Sequence, residues 1–265
     1  MVSSVGAMSD GPDYDVVIRN GSIYDGSGSP PVISDVAVRD DVIVAVAPGL
    51  AGRGHVELDA RGAAVAPGFI NMLSQAAESL IADGRSQSDI RQGVTLELFG
   101  EGSSLGPLSD AMKHEYRQRQ GDITYDIDWI TLDEGLESLV RRGLACNVAS
   151  FVGATSLRIH EVGYVDRPPT SVELDRMCGL LRDAMQDGAL GVGSALGYAP
   201  ASYADTDELV ALAATAAKHG GMYLSHLRSE GRHLLDNIDE LVEIAQRSGA
   251  PAEVWHFKAA GRATT

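Results

Sequence analysis

The sequence predicts an α/β protein, an incomplete (β/α)8 TIM-type barrel of about six strands preceded by a small β domain. Three observations carry this reading. Short β-like runs separated by turn signals fill residues 14–66, and after them apolar strands and amphipathic helices alternate at the spacing of βα units. Two histidines, His226 and His256, then each close an apolar run, 30 positions apart, which is the length of one strand plus one helix. In a parallel barrel this spacing puts both imidazoles at the C-terminal tips of neighbouring strands, where side chains converge on one mouth.

Residues 1–13 are rich in Ser and Gly and have neither a basic start nor a long apolar stretch, so they read as a disordered start and not as a signal peptide. The β runs of the first domain are expected at 16–19, 22–24, 35–39, 42–46 and 55–58, divided by Asn20-Gly21, Asp25-Gly26 and Pro30-Pro31. They describe a small, sandwich-like β domain. Past Pro67-Gly68 the rhythm changes, and residues 67–265 carry candidate strands at 69–73, 94–99, 146–151, 189–194, 222–226 and 252–257.

The later helices are marked at both ends. Thr170 with Glu173 makes a capping box before Leu174, Met177, Leu181 and Met185, and the helix stops at Gly188. Asp205 with Glu208 repeats the device ahead of Leu209 and Leu212, ending at Gly220-Gly221. A third helix carries Leu234, Ile238, Leu241 and Ala245 and ends at Gly249. The apolar stripes are core. Between 102 and 128 a Gly/Pro loop precedes a polar helix at 109–119, placed over the mouth as a lid would be.

With 37 acidic against 21 basic residues the net charge is -16, which repels nucleic acid and anionic membranes, and no Lys/Arg cluster offsets it. The expected partner is a small molecule. No run approaches the length of a membrane span, and the two cysteines, Cys146 and Cys178, read as reduced thiols of a cytoplasmic protein. Neutral imidazole is the commonest metal-binding side chain, so paired histidines at one mouth point to a metal site.

Several phrases go further. Asp15-Val16-Val17-Ile18-Arg19-Asn20-Gly21, Val65-Ala66-Pro67-Gly68-Phe69-Ile70-Asn71 and Gly93-Val94-Thr95 resemble the start of an amidohydrolase-superfamily enzyme. Asp166-Arg167-Pro168-Pro169-Thr170, Gly188-Ala189-Leu190-Gly191-Val192-Gly193 and Ser225-His226-Leu227-Arg228-Ser229-Glu230-Gly231 resemble the N-acyl-D-amino-acid deacylases within it. The resemblance implies amide hydrolysis of an N-acylated D-amino acid by a zinc ion, held by His226, His256 and a third ligand from the second barrel strand. It also implies an aspartate as general acid and base, whose position lies beyond Thr265; on that ground the 265 residues alone are expected to be inactive.

Two departures shape the expected site. Where the superfamily shows Asp-x-His-x-His, the chain has Asn71-Met72-Leu73-Ser74-Gln75, which leaves a second metal without imidazoles and gives one divalent ion, zinc, as the expectation. Where the deacylases place a cysteine ligand, the chain has Phe99-Gly100-Glu101-Gly102. Glu101 is the candidate ligand, and Glu97, which shares its parity along a regular strand, is the alternate. Tyr198, Lys258 and Arg228 are the candidate substrate contacts, with Arg228 and Glu230 also expected to form an ion pair beside the metal. Two other readings stand beside this one: a cyclic-amide hydrolase of the dihydroorotase or hydantoinase kind, which would need the absent histidine pair, and a non-catalytic remnant or ligand-binding pseudoenzyme.

Overall fold

The computed structural model describes residues 12–261. The expected disordered start lies outside them except for its last two residues. The chain divides into two compact units, one up to Gly68 and one from Phe69 onward.

The first unit contains β1 (Tyr14–Ile23), β2 (Val32–Arg39), β3 (Val42–Ala47), β4 (Gly54–Asp59) and β5 (Ala64–Val65). The central strand, β1, runs antiparallel to β2, with Val17 opposite Ala37, and parallel to β4 and β5. All five strands share one sheet, so the expected sandwich is corrected to a single layer. The physical reason is that β4 and β5 add to the free edge of β1 instead of pairing in a second sheet. Asn20-Gly21, expected to break the strand, is a bulge within β1. Asn20 takes φ +54, a conformation its short polar side chain tolerates, and its amide donates to Asp35 Oδ1 at 2.9 Å. That bond first, and then the Arg19 guanidinium, hold the Asp35 carboxyl below the usual carboxylate range.

The second unit runs β6 (Phe69–Asn71), α1 (Ala77–Ala82), α2 (Gln87–Ile90), β7 (Val94–Phe99), α3 (Asp110–Arg119), α4 (Leu132–Arg142), β8 (Asn147–Ser150), β9 (Val152–Gly153), α5 (Ala154–Glu161), α6 (Ser171–Gln186), β10 (Gly191–Ala195), α7 (Thr206–Ala217), β11 (Met222–His226), α8 (Leu234–Ser248) and β12 (Ala252–Val254). Every strand pairing is parallel, in the orders β6-β7-β8 and β9-β10-β11-β12. The expected third strand is split: β8 pairs with β7 and β9 with β10, and the chain changes sheet at Phe151. Among the described residues the end strands β6 and β12 are not paired with each other, so the array is open.

Side chains alternate between two faces. Leu98, Phe151 and Leu224 pack together on one face, with Trp255 edge-on to Phe151. The other face meets the helices, where Val152, Val192 and Tyr223 join Leu157, Met177, Leu181, Leu209 and Leu212 in the largest apolar cluster. Removing such surfaces from water is the main stabilising term.

The Thr170/Glu173 capping box forms as expected, and Gly249 ends α8 in the left-handed conformation. The second expected box is only half made. Asp205 accepts from the Glu208 amide, but the Glu208 carboxylate turns inward to Arg158 on α5, and both side chains are almost wholly buried. An ionised partner outcompetes the cap's own backbone N–H. Helix α4 carries a complete box, Thr131 with Glu134. The polar helix α3 is found, capped by Ser109, and its Met112 packs with Leu108, Ile127 and Trp129.

Candidate metal centre

Glu101, His226 and His256 come together, their donor atoms all within 4.8 Å of one another. Among the described residues no other group of metal-binding side chains meets in this way. His226 closes β11, its backbone carbonyl tied to the Leu196 amide, and His256 follows β12 after Trp255. The two rings stand edge to face with centroids 4.4 Å apart. One carboxylate oxygen, Glu101 Oε1, lies 3.2 Å from His226 Nδ1 and 2.8 Å from His256 Nε2.

These separations fit a shared ion. Donor atoms bound at about 2.0–2.2 Å in a tetrahedron stand roughly 3.4 Å apart, close to the two Glu101–histidine separations of 3.2 and 2.8 Å. Two imidazoles and one carboxylate are a donor set for zinc or a similar divalent ion, and they leave a fourth position open.

Glu101 reaches this point because the strand rule fails just before it. Phe99 and Glu97 both face the helices, and a regular strand would send Glu101 after them. Gly100 takes φ +106, and a Cβ there would lie 2.3 Å from the Phe151 carbonyl oxygen, so only glycine allows the turn that brings Glu101 into the mouth. The alternate ligand Glu97 is thereby corrected: it is fully buried on the helix side, accepting from Ser74 Oγ at 2.6 Å, Ser86 Oγ at 2.7 Å and Cys146 Sγ at 3.3 Å. Burial and the Glu97 carboxylate push the Cys146 thiol up.

The surrounding shell was only partly foreseen. Gln75 donates its Nε2 to Glu101 Oε2 at 2.7 Å, which leaves Oε1 for the histidines. Asn71 holds the backbone of the same segment by accepting from the Leu73 amide. Glu230 Oε1 lies 3.0 Å from His256 Nδ1 and 3.1 Å from Lys258 Nζ. Among the described residues neither Glu230 Oε1 nor His256 Nδ1 has a hydrogen-bond partner, so the contact between them is one of charge and proximity. The expected Arg228–Glu230 pair is therefore corrected. Arg228 binds Glu240 of α8 and the carbonyls of Ser202 and Ala204, because those acceptors lie along its reach while Glu230 turns to His256. Tyr198 is mostly exposed and its ring tilts over His226, centroids 5.1 Å apart. Lys258 is half-exposed beside Glu230.

An α/β fold whose parallel strands bring a carboxylate and two histidines together defines a candidate metal centre, and comparison with known proteins gives its relatives. No family model matches the chain. D-aminoacylase from Alcaligenes xylosoxydans xylosoxydans is 30% identical over 260 residues, which cover 97% of this chain and 53% of the relative. A crystal structure of D-aminoacylase, described as defining a novel subset of amidohydrolases, superposes with a TM-score of 0.84 at 29% identity, covering 94% of this chain and 52% of that one. The N-acyl-D-glutamate deacylase of Bordetella bronchiseptica, solved with zinc and a phosphonate that mimics the tetrahedral intermediate, superposes with a TM-score of 0.79 at 26% identity over 90% of this chain and 50% of that one. The chain is a homologue of the N-acyl-D-amino-acid deacylases of the amidohydrolase superfamily. It spans about half the length of the curated relatives it matches. No helix among the described residues is long and apolar enough to cross a membrane.

Proposed function

We propose that these residues form the metal-binding part of an N-acyl-D-amino-acid deacylase, in which the open parallel array belongs to a (β/α)8 barrel and one zinc ion serves hydrolysis of the amide. The observation that carries this is Glu101 Oε1 within hydrogen-bonding distance of both His226 Nδ1 and His256 Nε2. A bound divalent ion supplies a water activated near neutral pH and polarises the amide carbonyl. Glu101 contributes the negative charge of the ligand set and the histidines its nitrogens. Gln75 fixes which carboxylate oxygen is offered, and Glu230 places a negative charge beside the far nitrogen of His256.

On the β12 side, Lys258 is free to exchange Glu230 for the substrate carboxylate, and Tyr198 closes over the His226 side of the mouth. Arg228, whose guanidinium is taken up by Glu240 and two carbonyls, acts by holding the segment between β10 and α7 that follows Tyr198.

The test is metal stoichiometry joined to stereospecific binding. The 265-residue chain should retain about one equivalent of zinc and, once loaded, bind N-acyl-D-amino acids in preference to their L-enantiomers, and His226→Ala should lose both. Failure of the wild type to retain a stoichiometric ion would remove the reading.

A further inference from the structure

A second cavity, of about 320 Å³, opens at the same end of the strands as the candidate metal centre. Its walls come from the segments after β6 and β7 and from the 105–129 region, with Leu108, Tyr116, Tyr125, Ile127 and Trp129 the main apolar surfaces. Gln75 and Ser103 also line the smaller cavity, of about 240 Å³, that contains Glu101 and Tyr198, so the two spaces share a wall at the ligand carboxylate. We propose that the larger cavity is the acyl subsite, receiving an apolar aliphatic or aryl acyl group larger than acetyl.

The argument is one of charge and shape. An N-acyl amino acid presents two unlike ends to a metal placed at its amide: a carboxylate-bearing end and a neutral acyl end. The cavity is lined by no lysine or arginine, and its one charged residue is Glu78, which accepts from the Tyr125 hydroxyl at 3.2 Å. A carboxylate entering there would meet like charge and no cation, at a cost. The cationic side of the mouth is the β12 side, where Lys258 lies. The two ends of the substrate are thereby sorted, with the acyl group directed under α3.

The walls are also built to hold an apolar group. Trp129 is fixed by its indole N–H on the Leu105 carbonyl at 2.7 Å and stacks parallel to Tyr125, centroids 6.2 Å apart. The volume is at the lower end of that of ligand sites and equals that of about ten waters, ample for a six-carbon or phenyl group. Each methylene transferred from water to such walls should strengthen binding about fourfold.

The proposal rests on the deacylase reading, and the test separates the two. Zinc-loaded protein is titrated calorimetrically with acetate, butyrate, hexanoate and phenylacetate, the acids that deacylation would release, with metal-free protein as control. Zinc-dependent acetate binding reports on the metal centre, and the increase along the series reports on the cavity. Butyrate and hexanoate should each bind at least tenfold more tightly than the acid two carbons shorter. Ala77→Phe, which fills the cavity from α1, should flatten the series while leaving acetate unchanged. Tyr125→Ala, which removes a wall, should weaken hexanoate at least fivefold, again without effect on acetate. Zinc-dependent acetate binding with a flat series overturns the acyl subsite alone. A rise that persists in both variants also overturns it. Absence of zinc-dependent binding by every acid overturns the deacylase reading and the subsite with it.

Discussion

Replacing Glu208 by glutamine tests the buried ion pair that joins α5 to α7. Arg158 and Glu208 are 1% and 2% exposed, and the guanidinium also donates to the carbonyls of Val165 and Arg167. Burial pushes the Glu208 carboxyl up from its ordinary range, which is the desolvation cost that Arg158 has to offset. Glutamine is almost the same size and leaves no void, so what it removes is the charge. The Arg158 cation then stays in the interior with neutral acceptors only, and breaking such a pair on one side costs about 3–5 kcal/mol. Against a total stability of about 5–15 kcal/mol this is a large share, and for a unit of this size it corresponds to a fall in Tm of roughly 6–20 °C. Urea unfolding followed by far-UV circular dichroism measures it, provided the slope of the transition is unchanged. The double variant Arg158→Met with Glu208→Leu should recover most of the loss, because the penalty lies in the unpaired charge and not in the absent bond. A single variant within about 1 kcal/mol of wild type, or a double variant no better than the single, would refute the reasoning.

Three further outcomes are expected. Gln75→Ala should weaken zinc affinity about 10–100-fold in a chelator competition, since Glu101 loses the donor that holds its second oxygen, and an unchanged affinity would show that Gln75 does not position it. Gly100→Ala places a Cβ against the Phe151 carbonyl at φ +106; a loss of about 2–4 kcal/mol together with loss of metal binding is expected, and a variant that is stable and metal-loaded would contradict the account of how Glu101 reaches the mouth. The Glu173 carboxyl is held down at about 2, chiefly by the Arg167 guanidinium and then by the Thr170 amide, against an ordinary value of 4.5. Because the folded value is the lower one, its stabilisation is present above the ordinary value and fades as the pH falls from about 4.5 toward 2. Glu173→Gln should therefore narrow its stability difference from wild type across that interval, as read from Tm against pH, and a constant difference would count against the assignment.

Where the pattern is local, the sequence is enough. The helix stops and the Thr170/Glu173 box are written in side chains three or four positions apart, and they form as read. The spacing of His226 and His256 also suffices to bring them to one point, because a βα unit of fixed length in a parallel array carries equivalent strand ends to one side. Glu101 is legible as the candidate from its place in the family-like run, with Glu97 as the alternate because alternation along a strand treats the two alike.

What separated them was a single backbone dihedral at Gly100, imposed by the close approach of the Phe151 carbonyl from the next strand. The same holds for the partners of the charged groups. Arg228 meets Glu240 and not Glu230, and Glu208 meets Arg158 and not its own helix end, because a charged side chain takes the best acceptor within reach, and packing decides which one that is. The cavity under α3 is likewise a property of assembled walls. Residues from 74 to 129 contribute to it at no regular spacing, so no periodicity in the chain could announce it. By itself the sequence determined the elements, the histidine pair and the family likeness. Tertiary structure decided which carboxylate faces the metal position and what surrounds it, because those choices depend on contacts between segments that sequence distance does not encode.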